Sequence, residues 1–135
     1  ERWLEMGVNV ITANKKIGSG PYDKYASVVQ VSKKKAQWLY ETTGPGSGLP
    51  VLSTIKNMRQ SGDVIKKVEG VFSGTLSYLL HAIAEGTPFS EALRQANDFG
   101  YCEPDPREDI SFLDVRRKTV VIARELGLQT ELDDV

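Results

Sequence analysis

The apolar and polar positions of this chain change period several times, from helical spacing to strand alternation and back. Short β-branched runs are typical of buried strands, and glycine and proline mark the breaks between them and the helices. In the first sixty residues the pattern predicts a helix over 1–6, a strand over 8–13, a helix over Tyr22–Lys34, a strand over 36–42 and a helix over 50–60.

The second half of the chain is predicted to be mostly helical. A strand over 64–72 comes first, with apolar residues at Ile65, Val68 and Val71 and charged residues between them. A helix over 75–84 follows, with an apolar face of Leu76, Leu79, Leu80 and Ile83, then a helix with the core face Phe89, Leu93 and Ala96, and a final helix over about 108–126. This order predicts an α/β fold with a helical carboxyl-terminal portion.

Composition and charge argue against some classes of function without identifying one. The 135 residues are 40% hydrophobic and 26% charged, which is typical of one globular core. A formal net charge of −1 gives no electrostatic reason to expect nucleic acid, and the basic run at 33–35 fits a solvated helix end. Cys102 is a single cysteine, and no run of about 18 apolar residues occurs, so we expect a reducing compartment and no membrane partner.

The run 100–118 is the most specific polar segment. Pro104 and Pro106 restrict the backbone around Glu103, and the helix that follows carries Asp114 and Lys118 one turn apart. Such a pair is also typical of an ordinary i,i+4 ion pair worth about 0.2–0.5 kcal/mol. Apolar residues flank the pair on the helix, and an acidic loop lies beside it. A functional site is therefore supported as well as an ordinary ion pair.

The remaining polar motifs leave few catalytic options. The glycine turn at 44–48 lacks the lysine of a phosphate loop, so it fits a structural turn or a carbonyl-lined cation site to which Glu41 adds an oxygen ligand. His81 is the only histidine and is expected at the edge of the core. Without a metal set or a catalytic triad, Lys15 and Lys118 are the candidates for proton transfer.

Five strings in sequence resemble homoserine dehydrogenase. Together they are more specific than any one of them, and the run 14–21 is similar to the form in bifunctional aspartokinase-homoserine dehydrogenases. The matching strings are Val-Ile-Thr-Ala-Asn-Lys-Lys at 10–16, Tyr-Glu at 40–41 leading to Gly-Leu-Pro at 48–50, Gly-Asp at 62–63, the run 69–78, and the run 100–118 with its Glu-Pro-Asp-Pro and Leu-Asp-Val-Arg-Arg-Lys.

The resemblance implies an oxidoreductase that reduces L-aspartate 4-semialdehyde to L-homoserine with NADPH or NADH, on the route to threonine and methionine. It implies a mixed sheet with flanking helices: residues 1–14 would be the carboxyl-terminal edge of a truncated dinucleotide-binding domain, and 15–135 the catalytic and dimerisation domain. A homodimer is implied, in the cytoplasm or, in a photosynthetic eukaryote, the plastid stroma. Without the upstream cofactor-binding segment we expect the isolated chain to be inactive.

The resemblance also implies roles for individual residues. Lys118 matches the proton donor and Lys15 a second lysine near nicotinamide and substrate. The remaining matches are Glu103, Asp109, Asp114, Gly74, Thr75 and Tyr101 for substrate, Asn14 and Lys15 for the cofactor, and Glu41, Ser47 and Leu49 for a sodium or potassium ion.

Two features differ from the family pattern. One additional residue lies between Glu41 and Gly48, and the Ser111-Phe112 step replaces a small-residue step that typically ends in glycine. We expect the first to alter the cation site and the second to add bulk beside Asp114 and Lys118. A non-catalytic oligomerisation module, or an amino-acid sensor that keeps the pocket without the chemistry, therefore stays as an alternative.

Overall fold

The computed structural model describes residues 1–46 and 48–135, and Glu108 without its side chain. It has two compact units, the first made of 1–68 and 116–135 and the second of 69–115. The first unit contains α1 (Arg2–Glu5), β1 (Val10–Ile11), α2 (Lys16–Ser19), α3 (Tyr22–Lys34), β2 (Trp38–Leu39) and α4 (Val51–Gln60). The second contains α5 (Gly74–Ala84), α6 (Phe89–Asp98) and α7 (Pro106–Ile110), and α8 (Leu113–Glu125) starts there and continues into the first.

The two strands form a parallel pair in which Val10 lies opposite Trp38 and Ile11 opposite Leu39. Helix α3 makes the connection between them, as parallel strands require. The positions of both predicted strands and the bounds of α3 are confirmed, although the paired residues are fewer than the patterns predicted. Because the strands are parallel, the residues that follow each of them lie at the same edge of the sheet.

The core of the first unit is built around α3. Leu4 of α1 is 1% exposed and packs with Tyr25, Val28, Ala36 and Trp38. This cluster buries the apolar face of α3 against the strands, as the helical period of its apolar residues predicts.

A buried arginine joins α8 to the rest of the first unit. Arg124 is 4% exposed, and its guanidinium donates to the carbonyl of Gly18 at 2.9 Å and to that of Thr130 at 2.8 and 3.0 Å. It also pairs with the carboxylate of Glu131 at 3.2 Å. Burial lowers the pKa of this guanidinium, but the carbonyl and carboxylate partners satisfy its donors.

The core of the second unit lies between α5 and α6. Leu76, Leu79, Ala92 and Ala96 form its buried cluster, as helical spacing predicts for three of them. The prediction for Phe89 is wrong, because this residue opens α6 and is 48% exposed. Leu80 and Ile83, which were predicted on the apolar face of α5, are 60% and 39% exposed, so these predictions are also wrong. His81, which was predicted at the edge of the core, has a side chain that is 74% exposed.

The strand predicted over 64–72 is wrong, since the described residues form no strand there. An alternating pattern creates only the potential for a strand, and a neighbouring strand must accept and donate the backbone hydrogen bonds.

The single helix predicted over 108–126 is also wrong, because the chain forms α7 and α8 with a break between them. Phe112 lies at the break with a φ of 60°, in the left-handed region that a helix cannot continue through.

Candidate functional site

The residues that follow β1 form a tightly hydrogen-bonded turn. The backbone N–H of Asn14 donates to Thr12 Oγ1 at 3.0 Å, and Asn14 Oδ1 accepts from the N–H of Lys16 at 2.8 Å. The carbonyl of Lys15 accepts from both the N–H and the hydroxyl of Ser19, each at 2.9 Å. Asn14 and Lys15 therefore have fixed backbone positions at the carboxyl edge of the parallel strands, where ligands of α/β proteins usually bind.

Glu41, which follows β2, caps the amino terminus of α4. Its two carboxylate oxygens accept from the N–H groups of Leu52 at 2.7 Å and Ser53 at 2.9 Å. The negative charge thus lies at the positive end of the helix dipole. These amides are the groups that a phosphate loop would offer to its ligand, so the structure agrees with the sequence in disfavouring such a loop.

In the described part of the glycine turn beside Glu41, the carbonyl of Gly46 accepts from the N–H of Leu49 at 2.6 Å. Among the described residues no group of three histidine, cysteine or acidic side chains could hold a metal ion. Ser47, one of the predicted ligands, lies outside the described residues, and the side chain of Leu49 is exposed.

A groove of about 710 Å³ in the second unit brings three predicted substrate residues together. Gly74, Thr75 and Tyr101 line it, together with Tyr78 and His81. The hydroxyl of Thr75 donates to the carbonyl of Tyr101 at 2.6 Å, and the rings of Tyr78 and Tyr101 meet edge to face at 5.3 Å. These contacts hold the loop that follows α6 against the amino terminus of α5.

The acidic loop is ordered by its own carboxylates. Asp109 Oδ2 accepts from the backbone N–H of Glu103 at 2.8 Å, which brings these two predicted residues together. Asp105 caps α7 and accepts from the guanidinium of Arg107, which holds the pKa of Asp105 below its usual value. Burial, and secondarily the charge of Asp109, raises the pKa of the Cys102 thiol. The carboxylate of Glu103 is therefore presented by a loop whose backbone is fixed from within.

The predicted pair on α8 spans the division of the molecule. Asp114 belongs to the second unit and Lys118 to the first, because the boundary falls between Val115 and Arg116. Both side chains are half-buried. The remaining predicted residues of the first unit are Asn14, Lys15, Glu41 and Leu49, and those of the second are Gly74, Thr75, Tyr101, Glu103 and Asp109.

Sequence reasoning missed a buried polar cluster in the first unit. The hydroxyl of Tyr40 donates to the carboxylate of Glu125, which is 7% exposed, and the guanidinium of Arg59 donates to the carbonyl of Glu125. Burial, then the charge of Glu125, raises the pKa of Tyr40 far above its usual value and that of Tyr25 to about 12. The available signal was Glu125 itself, which lies seven residues after Lys118 and so shares one face of α8 with it, between apolar neighbours.

Comparison with known proteins decides the family. A family model described as homoserine dehydrogenase matches residues 50–135. The chain belongs to the homoserine dehydrogenase family. It is 46% identical over 134 residues to a chloroplastic bifunctional aspartokinase/homoserine dehydrogenase 2 of Zea mays, covering 98% of this chain and 14% of that protein. It is 38% identical to a homoserine dehydrogenase of Schizosaccharomyces pombe, covering 96% of this chain and 36% of that protein.

A solved structure that carries the family's name has a similar fold. A putative homoserine dehydrogenase from Archaeoglobus fulgidus superposes with a TM-score of 0.81 at 29% identity, covering 97% of this chain and 40% of that one. This confirms the expected α/β fold class of a dehydrogenase portion. The chain spans well under half the length of these relatives. In the described part of the chain, no helix has the length and apolar character needed to cross a membrane.

Proposed function

We propose that this chain is the catalytic region of a homoserine dehydrogenase that reduces L-aspartate 4-semialdehyde to L-homoserine with NADPH or NADH. The observation that carries the proposal is the family match over residues 50–135, because this range contains the acidic loop and the helix with Lys118. The product would supply the synthesis of threonine and methionine. The compartment would be the cytoplasm, or the plastid stroma in a photosynthetic source.

The substrate carries an ammonium group, a carboxylate and an aldehyde. The chain offers side chains that suit the ammonium group and the aldehyde. Glu103, Asp109 and Asp114 provide negative charge for the ammonium group, while the phenol of Tyr101, which lines the groove near the amino terminus of α5, offers a donor to the aldehyde oxygen. When bound, the nicotinamide supplies a hydride to the aldehyde carbon.

The hydride leaves negative charge on the former aldehyde oxygen, which needs one proton to become the homoserine hydroxyl. Lys118 is the proposed donor, with Lys15 as the second cationic group near the reacting atoms. General acid catalysis of this kind contributes about 10²- to 10⁴-fold to the rate.

Two further sets of residues are assigned to ligands that the family resemblance implies, namely the nicotinamide cofactor and a monovalent cation. Asn14 and Lys15 would bind the nicotinamide portion, since an amide and an ammonium group at a fixed sheet edge fit its carboxamide. Glu41, with Ser47 and Leu49, would hold a sodium or potassium ion. The carboxylate of Glu41 fits this role because each oxygen keeps a lone pair beyond the N–H bond it accepts.

We propose a homodimer, supported by the segment 64–72, whose alternating residues form no strand in the described part of the chain. Its apolar side chains at Val64 and Val71 are 79% and 72% exposed, which suits pairing with a second copy. The same observation supports the alternative function, a non-catalytic oligomerisation module. An amino-acid sensor that retains the substrate residues is the third reading.

The deciding experiment measures NADPH oxidation with aspartate semialdehyde, using the chain joined to the dinucleotide-binding segment that the resemblance implies. Lys118→Ala is compared with Lys24→Ala, which changes an exposed lysine of α3 in the first unit. We expect a loss of at least about a hundredfold in kcat for Lys118→Ala and little change for the control. Homoserine binding without turnover in the parent would favour the sensor, and neither binding nor turnover would favour the module.

A further inference from the structure

A polar cleft in the first unit is used by none of the roles proposed above. It has a volume of about 390 Å³ and lies between α3, β2, α4 and α8. Four of its lining residues are cationic, namely Lys33, Lys56, Arg59 and Arg124, and one is acidic, namely Glu125. We call it the Lys33–Arg59 cleft.

Part of this charge is compensated inside the protein. Arg124 pairs with the carboxylate of Glu131 at 3.2 Å, whereas Glu125 accepts from the neutral hydroxyl of Tyr40, which offsets no charge. Arg59 donates to a neutral carbonyl, and this bond does not offset its charge. Lys33, Lys56 and Arg59 therefore face one carboxylate, which leaves an excess of two positive charges at a concave surface, whereas the whole chain has a net charge of −1.

The concave shape increases the effect of this excess, because a low-dielectric wall focuses the field of the charges into the cleft. The wall also provides neutral hydroxyl groups. Tyr25 and Tyr40 line the cleft, and their raised pKa values keep both phenols protonated at neutral pH, so they add no negative charge. Trp38 also lines the cleft, but it is 8% exposed and its indole is stacked on Tyr40 at 4.0 Å, so it contributes only a small apolar area.

We propose that the Lys33–Arg59 cleft binds a small phosphate-type dianion, either inorganic phosphate or a small organic phosphate. Two excess charges match a dianion, and the volume lies within the range of about 300–1,000 Å³ that is usual for small-molecule sites. Among the described residues, none lines both this cleft and the groove of the second unit, and the proposal does not depend on the dehydrogenase reaction.

The test is an NMR titration of the 135-residue chain at low ionic strength, with inorganic phosphate, phenyl phosphate and phenol as probes and the Trp38 indole N–H as reporter. The double variant Lys33→Gln/Lys56→Gln removes two exposed charges from the cleft. The matched control Arg2→Gln/Lys24→Gln removes two exposed charges elsewhere in the same unit. Arg59 is left unchanged because it also bonds to the end of α8.

We expect both phosphates to shift the reporter saturably, with affinity at least about tenfold weaker in the cleft variant and changed by less than about twofold in the control. The absence of a saturable shift would overturn the proposal. Equal weakening in the two double variants would overturn it as well, since it would indicate unspecific screening. Binding of phenol as tight as that of phenyl phosphate would identify an apolar site instead.

Discussion

Phe112 has a backbone conformation that suits glycine, and substitutions at this position give a test with a definite sign. A residue with a Cβ atom at a φ of 60° carries about 1–2 kcal/mol of strain. Glycine removes this strain, but it loses more backbone freedom on folding than alanine does, which costs about 0.5–1 kcal/mol. Phe112→Gly should therefore be more stable than Phe112→Ala by roughly 0.5–1 kcal/mol, because both variants lose the same ring.

Where the backbone is helical, the alanine variant is expected to be more stable than the glycine variant. Gln30 is exposed in the middle of α3, and there alanine is favoured over glycine by about 0.8–1.0 kcal/mol. Urea unfolding followed by circular dichroism would compare the two pairs, with a midpoint difference of roughly 0.3–0.5 M at position 112. If Phe112→Ala equals or exceeds Phe112→Gly while the Gln30 pair behaves normally, the strain argument is refuted.

Two further perturbations test the first unit. Glu41→Gln replaces a carboxylate that accepts from the N–H groups of Leu52 and Ser53, so we expect a loss of about 1–2 kcal/mol in urea unfolding and less than about 0.5 kcal/mol for exposed Glu5→Gln. Burial raises the pKa of Tyr25 from 10.0 to about 12, so folded chains hold a proton that unfolded chains release, and stability should fall as pH rises from 10 to 12. Tyr25→Phe should flatten that fall, by at most about 2.7 kcal/mol at the upper end, and coincident pH curves would contradict the assignment.

The helices were predictable because their signals are local. The bounds of α3 follow from Pro21 before the helix and the lysines at its end, and α4 and α5 start within one residue of the predicted positions. Their glycine, proline and serine boundaries act over a few residues, so a linear reading finds them. The family strings are local in the same sense, and the family assignment is confirmed.

Other features depended on partners distant in sequence. Glu41 caps a helix that begins ten residues later, Tyr40 bonds to Glu125 across 85 positions, and Arg124 reaches Gly18 across 106. A local pattern cannot predict such contacts, nor the φ of Phe112. The roles of Lys118, Glu103 and the other predicted site residues stay predictions.

The sequence by itself determined the family, α3 to α6 and the approximate positions of two strands, because the signals for each lie in neighbouring residues. Only the tertiary structure decided that residues 64–72 form no strand, that the last helix is broken at Phe112, that Glu41 caps α4, and that cations from three helices line one cleft. These outcomes depend on which surfaces meet, and that is set by the packing of the whole chain.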